Sequence, residues 1–150
     1  MVKAKDIMTR DVITVKVETT VTELAKILAD KNIGGTPVVD DDGRLIGIVT
    51  ENDLIYQNKK IHIPTVVTIL DSVFLLEKPE KMEKEMRKIA GTTVGDIYTA
   101  DPVVVGEETQ LDEIATIMSE KNIHTLPVLS DSKLVGVIGK QDIIRTFITQ

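Results

Sequence analysis

Two acidic side chains stand at matching points of two similar stretches. In GIVTEND (residues 47–53) an apolar run meets a polar break and ends on Asp53; in GVIGKQD (residues 136–142) it ends on Asp142. Each run leads into a helical pattern, ENDLIYQN or KQDIIRTFIT, so each carboxylate falls in a first helical turn. An ionised carboxylate is acceptor-only, with two oxygens to offer. A helix start presents unpaired N–H donors and suits anions such as phosphate. Two chemistries stay open. In the local one, Thr50 is an N-cap with Asp53 three residues on, and the carboxylate gains roughly 0.3–1 kcal/mol from the helix dipole. In the other, the carboxylate is an acceptor for a ligand's donors. Gly139 stands where Thr50 does and has no hydroxyl, yet the aspartate is present again. That weakens the purely local reading without removing it.

Other reactive chemistry is thin. There is no cysteine, and the only histidines, His62 and His124, are far apart, so neither a thiolate nor a histidine metal centre is expected. Asp40-Asp41-Asp42 reads as a turn rather than a metal site, because consecutive side chains diverge and Gly43 follows. No serine or cysteine nucleophile is paired with a histidine, and no P-loop glycine pattern occurs. The expectation is a protein that is not an enzyme and carries no cofactor. A formal net charge of −6 over 150 residues argues against nucleic acid and against an anionic membrane surface. It leaves room for a small anionic ligand, because one pocket can be locally positive. MVKAKDIM lacks the apolar core of a signal peptide. The apolar run 61–76 is too short to span a bilayer and contains His62, Pro64 and Asp71. A cytoplasmic protein is expected.

The elements that must position the two aspartates are written twice. KDIMTRDVITVKVETTVTELAKILADKNIGGTPVV lies on GDIYTADPVVVGEETQLDEIATIMSEKNIHTLPVL at an offset of 90 with no gap. Asp6, Ile7, Thr9 and Asp11 meet Asp96, Ile97, Thr99 and Asp101; Lys31-Asn32-Ile33 meets Lys121-Asn122-Ile123. One residue is then lost at a turn, after which Leu45, Gly47 and Asp53 meet Leu134, Gly136 and Asp142. Each copy reads as β-α-β-β-α. VITV (12–15) and PVVV (102–105) are short strands, and TVTELAKILADKN and QLDEIATIMSEKN are amphipathic helices. Thr20 with Glu23 forms a capping box, and DDDG is a hairpin turn signal. So small a sheet cannot bury both faces alone, whereas two copies can pack sheet to sheet with helices outside. The fold class expected is α+β, with residues 1–56 and 93–150 as pseudo-symmetric repeats and 57–92 as a helical insert. In the insert, 79–91 reads as a charged helix with a narrow stripe of Met82, Met86 and Ile89. The apolar run before it is expected to cover a module or dimer surface.

DIMTRDVITV, NIGGTPVVDDDGRLIGIVTENDL and their second copies resemble a tandem cystathionine-β-synthase (CBS) domain pair, the Bateman module. The resemblance implies a regulatory homodimer that binds an adenosine derivative such as AMP, ADP, ATP or S-adenosylmethionine in clefts between the copies. It also implies a regulated protein partner not named by the sequence. Each aspartate would then accept from the two hydroxyls of a ribose. By the family's geometry, Asp53 and Thr50 would share a cleft with Tyr98, Val103, Ile123, His124 and Thr125. Asp142 and Gly139 would share the other with Met8, Ile13, Ile33, Gly34 and Gly35. Gly34 and Gly35 would let backbone approach the ligand. His124 resembles a phosphate-contacting position, and Lys140 could reach phosphate in the other cleft. Thr125 stands where the family often has arginine, which places AMP, adenosine or S-adenosylmethionine ahead of ATP. The alternative is a structural dimerisation module whose clefts are empty or filled by side chains, Tyr98 among them.

Overall fold

The computed structural model describes residues 1–60, 66–69, 72–75 and 92–149. The first repeat runs α1 (Ala4–Ile7), α2 (Val21–Lys31), β1 (Gly35–Val39), β2 (Leu45–Thr50) and α3 (Glu51–Lys60). The insert contributes β3 (Val66–Ile69) and β4 (Ser72–Leu75). The second repeat runs α4 (Val94–Ile97), β5 (Thr99–Ala100), β6 (Val105–Gly106), α5 (Leu111–Glu120), β7 (Thr125–Ser130), β8 (Lys133–Gly139) and α6 (Lys140–Thr149). Two three-stranded sheets, β1-β2-β5 and β6-β7-β8, give the expected α+β class. The insert is not wholly helical, because β3 and β4 pair antiparallel from Val66↔Leu75 to Ile69↔Ser72. The β-branched run Val66-Val67-Thr68-Ile69 suits a strand better than a helix. The helix expected over 79–91 lies outside the described residues.

The repeated local signals act through hydrogen bonds. Thr20 Oγ1 accepts from the Glu23 amide at 3.1 Å while Glu23 accepts from the Thr20 amide at 3.3 Å, closing the capping box on α2. Asn32 and Asn122 both take the left-handed conformation, with φ of 52° and 54°. The Ile33 and Ile123 amides then reach back to Leu28 O and Met118 O, at 3.1 and 2.9 Å. This Schellman closure accounts for the identical Lys-Asn-Ile triplets, since asparagine tolerates the left-handed region. The aspartate run is the expected turn: Asp40 Oδ1 accepts from the Asp42 and Arg44 amides, both at 2.9 Å, and Gly43 has φ +81°.

The first strand of each repeat is shorter than its apolar run predicts. In the first copy only Val15 pairs, in a parallel bridge to Val38. In the second, β6 starts at Val105. The next ladder bonds back along the chain would run from the amides of Pro37 and Pro127 to the carbonyls of Ile13 and Val103. Proline has no amide hydrogen, so the ladders stop. In the first copy the Thr36 hydroxyl donates to Ile13 O instead.

The entry segment of each repeat crosses to the other repeat's sheet. Thr9 and Val137 exchange two backbone hydrogen bonds, at 2.8 and 3.0 Å. β5 adds to β2 through Gly47↔Ala100 and Ile48↔Thr99. Ala4 and Met8 consequently sit in a core with Ile114, Met118, Leu126 and Ile138, while Val94 sits in the other with Leu24, Leu28, Val38 and Val49. Each fully buried Val, Leu, Ile or Met side chain contributes roughly 1.5–3 kcal/mol. Met8 packs over Gly136 and Tyr98 over Gly47, so close that a Cβ on either glycine would lie 2.4 Å from them.

Lys3 and Lys5 fasten the first crossing by pairing with Glu108. Their ammonium groups hold the Glu108 carboxyl at about 2, below its ordinary 4.5. A carboxylate depressed in the folded state stabilises the fold above the unfolded value and loses that contribution as pH falls toward the folded one. Glu108 is therefore expected to titrate near pH 2 by carboxyl NMR, with the fastening weakening between about pH 4.5 and 2. Glu108→Gln should abolish that part of the acid sensitivity. The pair is solvent-exposed, so added salt should shrink the effect.

Candidate functional site

The sheets meet where Gly35 of β1 faces Thr125 of β7, and a Cβ on Gly35 would lie 2.7 Å from Thr125 Oγ1. Gly35 is thus small to make room for the opposite repeat, which differs from the expected role of admitting a ligand. Two cavities flank this seam. The larger, about 870 Å³, is lined by Ile13, Ile33, Gly34, Gly35, Gly139, Lys140 and Asp142 among others. The smaller, about 240 Å³, is lined by Thr50, Asp53, Val103, Ile123, His124 and Thr125 among others. Gly34, Glu51, His124 and Thr125 line both, so the cavities adjoin.

The local role of the aspartates differs from the one the sequence suggested. The carboxylate caps the residue before the helix, not the reverse: Asp53 Oδ2 accepts from the Thr50 amide at 2.8 Å, and Asp142 Oδ2 from the Gly139 amide at 2.8 Å. A glycine supplies that amide as well as a threonine does. The missing hydroxyl at residue 139 therefore says nothing against capping. In the first copy Thr50 Oγ1 adds a weaker 3.3 Å contact to the same oxygen.

The second oxygens differ. Asp142 Oδ1 accepts from Arg145 Nη1 at 3.1 Å, and Asp142 is 8% exposed. Asp53 is half-buried, and its Oδ1 has no hydrogen-bond donor among the described residues. One carboxylate thus keeps an oxygen available at a cavity wall, while the other shares its second oxygen with a guanidinium that also lines the cavity.

Of the expected site residues, Met8 and Tyr98 are not brought to the cavities. Met8 is 8% exposed and belongs to the core of the second sheet. Tyr98 packs against the first core and over Gly47. Both side chains are anchors of the crossing segments, so Tyr98 does not fill the smaller cavity. The neighbouring repeat pairs do reach the clefts: Thr9 and Asp11 line the larger cavity, Thr99 and Asp101 the smaller. Their identity across the two copies was the signal for them. Lys31 and Arg145 join the larger cavity with less warning, since only the fold brings the end of α2 and the middle of α6 to one wall.

A seam of two sheets with a helix-start carboxylate on each flanking cavity defines a tandem α+β pair. The CBS domain family matches residues 4–60 and 94–148, and the chain belongs to that family. Among its relatives is the chloroplastic CBS domain-containing protein CBSX1 of Arabidopsis thaliana, 35% identical over 144 residues, covering 90% of this chain and 58% of CBSX1. Another is YlbB of Bacillus subtilis, 31% identical over 144 residues, covering 95% of this chain and 80% of YlbB. This chain spans less than two thirds of CBSX1 and of CBSX2, 58% and 56% of their lengths. Among solved structures, CBSX2 in complex with AMP superposes with a TM-score of 0.73 at 27% identity, covering 99% of this chain and 98% of the other. The CBS domain pair of protein MJ0100, in complex with 5′-methylthioadenosine and S-adenosyl-L-methionine, gives 0.75 at 27% identity with the same coverage.

Proposed function

We propose that this chain is a ligand-sensing regulatory module that binds an adenosine derivative in the clefts between its repeats. The observation that carries this reading is the pair of carboxylates, Asp53 and Asp142, each fixed by a backbone hydrogen bond at the wall of a cavity. A carboxylate held this way can accept from the adjacent hydroxyls of a ribose, each charge-assisted bond contributing roughly 1.5–3 kcal/mol. The larger cavity falls within the ordinary size range of small-molecule sites, about 300–1,000 Å³. AMP, adenosine and S-adenosylmethionine rank ahead of ATP, because the described lining of the larger cavity sets only three cations against three carboxylates, enough to attract one phosphate but not to balance a triphosphate. The relatives solved with AMP and with S-adenosyl-L-methionine support the same class. A thermal-shift series with adenosine, AMP, S-adenosylmethionine and ATP tests it. A ligand at 100 times its Kd is expected to stabilise the fold by about 2.7 kcal/mol. No shift with any of the four would sink the reading and leave a purely structural module.

The module is also proposed to work as a homodimer. Ile144, Phe147 and Ile148 stand on one face of α6 with exposures of 48, 79 and 77%, and Ile55 of α3 is 64% exposed. Apolar side chains this exposed and this close in sequence suit a partner surface. Phe147→Glu combined with Ile148→Glu is expected to convert a dimer to a monomer by light scattering. A wild-type chain that runs as a monomer would contradict the proposal.

A further inference from the structure

The two clefts come from one repeated motif, yet their charges differ. The larger cavity is lined by three cations, Lys31, Lys140 and Arg145, and three carboxylates, Asp11, Glu51 and Asp142. Among the described residues, the smaller is lined by three carboxylates, Glu51, Asp53 and Asp101, with His124 and no lysine or arginine. The difference traces to single repeat positions. Lys140 opens α6 where its counterpart Glu51 opens α3. A glutamate there is favoured by the helix dipole and a lysine is disfavoured, so Lys140 weakens its own helix start. Lys140 and Lys31 make no hydrogen bond or ion pair with the described residues, and both are exposed at the cavity wall. Two ammonium groups with no partner among the described residues, beside a cavity, attract a phosphate, whereas three carboxylates around about 240 Å³ repel one.

We infer that the clefts are specialised by charge: the Asp142 cleft takes a phosphate-bearing adenosine ligand, and the Asp53 cleft takes a neutral or cationic, phosphate-free one. The inference rests on the proposed adenosine-binding function and adds to it that two different ligands occupy one chain together. It predicts two independent binding events in isothermal titration calorimetry. AMP should bind with one site per chain, and adenosine should still bind to protein saturated with AMP. Lys31→Glu combined with Lys140→Glu should weaken AMP binding at least tenfold while adenosine bound at the Asp53 cleft keeps its affinity. That retained affinity, with a melting temperature no lower than the parent's, shows that the variant is folded. AMP affinity should also fall as salt rises, and adenosine affinity at the Asp53 cleft should not. Two equal AMP sites per chain, complete displacement of adenosine by AMP, or AMP affinity unchanged in the double variant would each overturn the specialisation while leaving adenosine binding intact. Binding of neither compound would instead overturn the adenosine reading itself.

Discussion

Gly47→Ala is expected to loosen the second repeat's entry segment from the first repeat's sheet. The added Cβ would lie 2.4 Å from the Thr99 carbonyl oxygen and 2.4 Å from Tyr98 Cδ2. The first of these is backbone in a paired strand, and β5 can yield only by giving up its bonds to β2. Its counterpart, Gly136→Ala, meets Met8 Sδ at 2.4 Å and Cγ at 2.7 Å, the flexible part of an unbranched side chain. Overpacking of this kind generally costs about 1–3 kcal/mol, with rigid neighbours at the upper end. Gly47→Ala should therefore cost about 3 kcal/mol and Gly136→Ala nearer 1. At roughly 2–4 °C per kcal/mol for a chain of this length, the two melting temperatures should be separable. Equal losses would mean that the thioether is held as firmly as the strand.

Asp142→Ala should cost more stability than Asp53→Ala. Asp142 is buried, serves the Gly139 amide with one oxygen and holds Arg145 with the other. Removing it leaves the partly buried Gly139 amide without its acceptor and takes one partner from Arg145, a loss of roughly 2–3 kcal/mol. Asp53 is less buried and spends one oxygen on the Thr50 amide, so its loss should be near 1 kcal/mol. Asp142→Asn keeps an acceptor for the Gly139 amide and should recover much of the difference in a denaturant titration. Binding should divide differently. Asp53 keeps an oxygen with no donor among the described residues, so Asp53→Ala should weaken a nucleoside in its cleft by about tenfold or more while the fold stays intact. Variants that melt lower but bind nucleosides and AMP as the parent does would reduce both aspartates to caps.

The repeat made most of the architecture legible, because local hydrogen-bond chemistry was duplicated with it. The capping box at Thr20, the turn at Asp40 and the left-handed asparagines all act within a few residues, and sequence reports such features directly. The clefts were legible in outline for the same reason: matched positions must lie on matched surfaces. What escaped depends on contacts between distant segments. Met8 and Tyr98 were expected at the ligand; they instead cover Gly136 and Gly47, a pairing visible only once the segments cross. The prolines stand within the motifs, but their effect as ladder stops depends on which strand lies alongside. Lys31 at the end of α2 and Arg145 midway along α6 meet at one wall, which is likewise tertiary.

The crossing of the entry segments also sets the order in which the molecule can be assembled. Thr9 bonds to Val137, nearly at the opposite end of the chain, and Ala4 and Met8 complete a core otherwise built from the second repeat. Such pairing raises contact order, so folding should be slower than the short helices and hairpins would suggest. During synthesis the first repeat's sheet lacks its third strand until Thr99 and Ala100 emerge, and the first residues wait with their apolar side chains uncovered until β8 has been made. Because each repeat completes its sheet and core with a segment of the other, the two are expected to unfold together as one cooperative body.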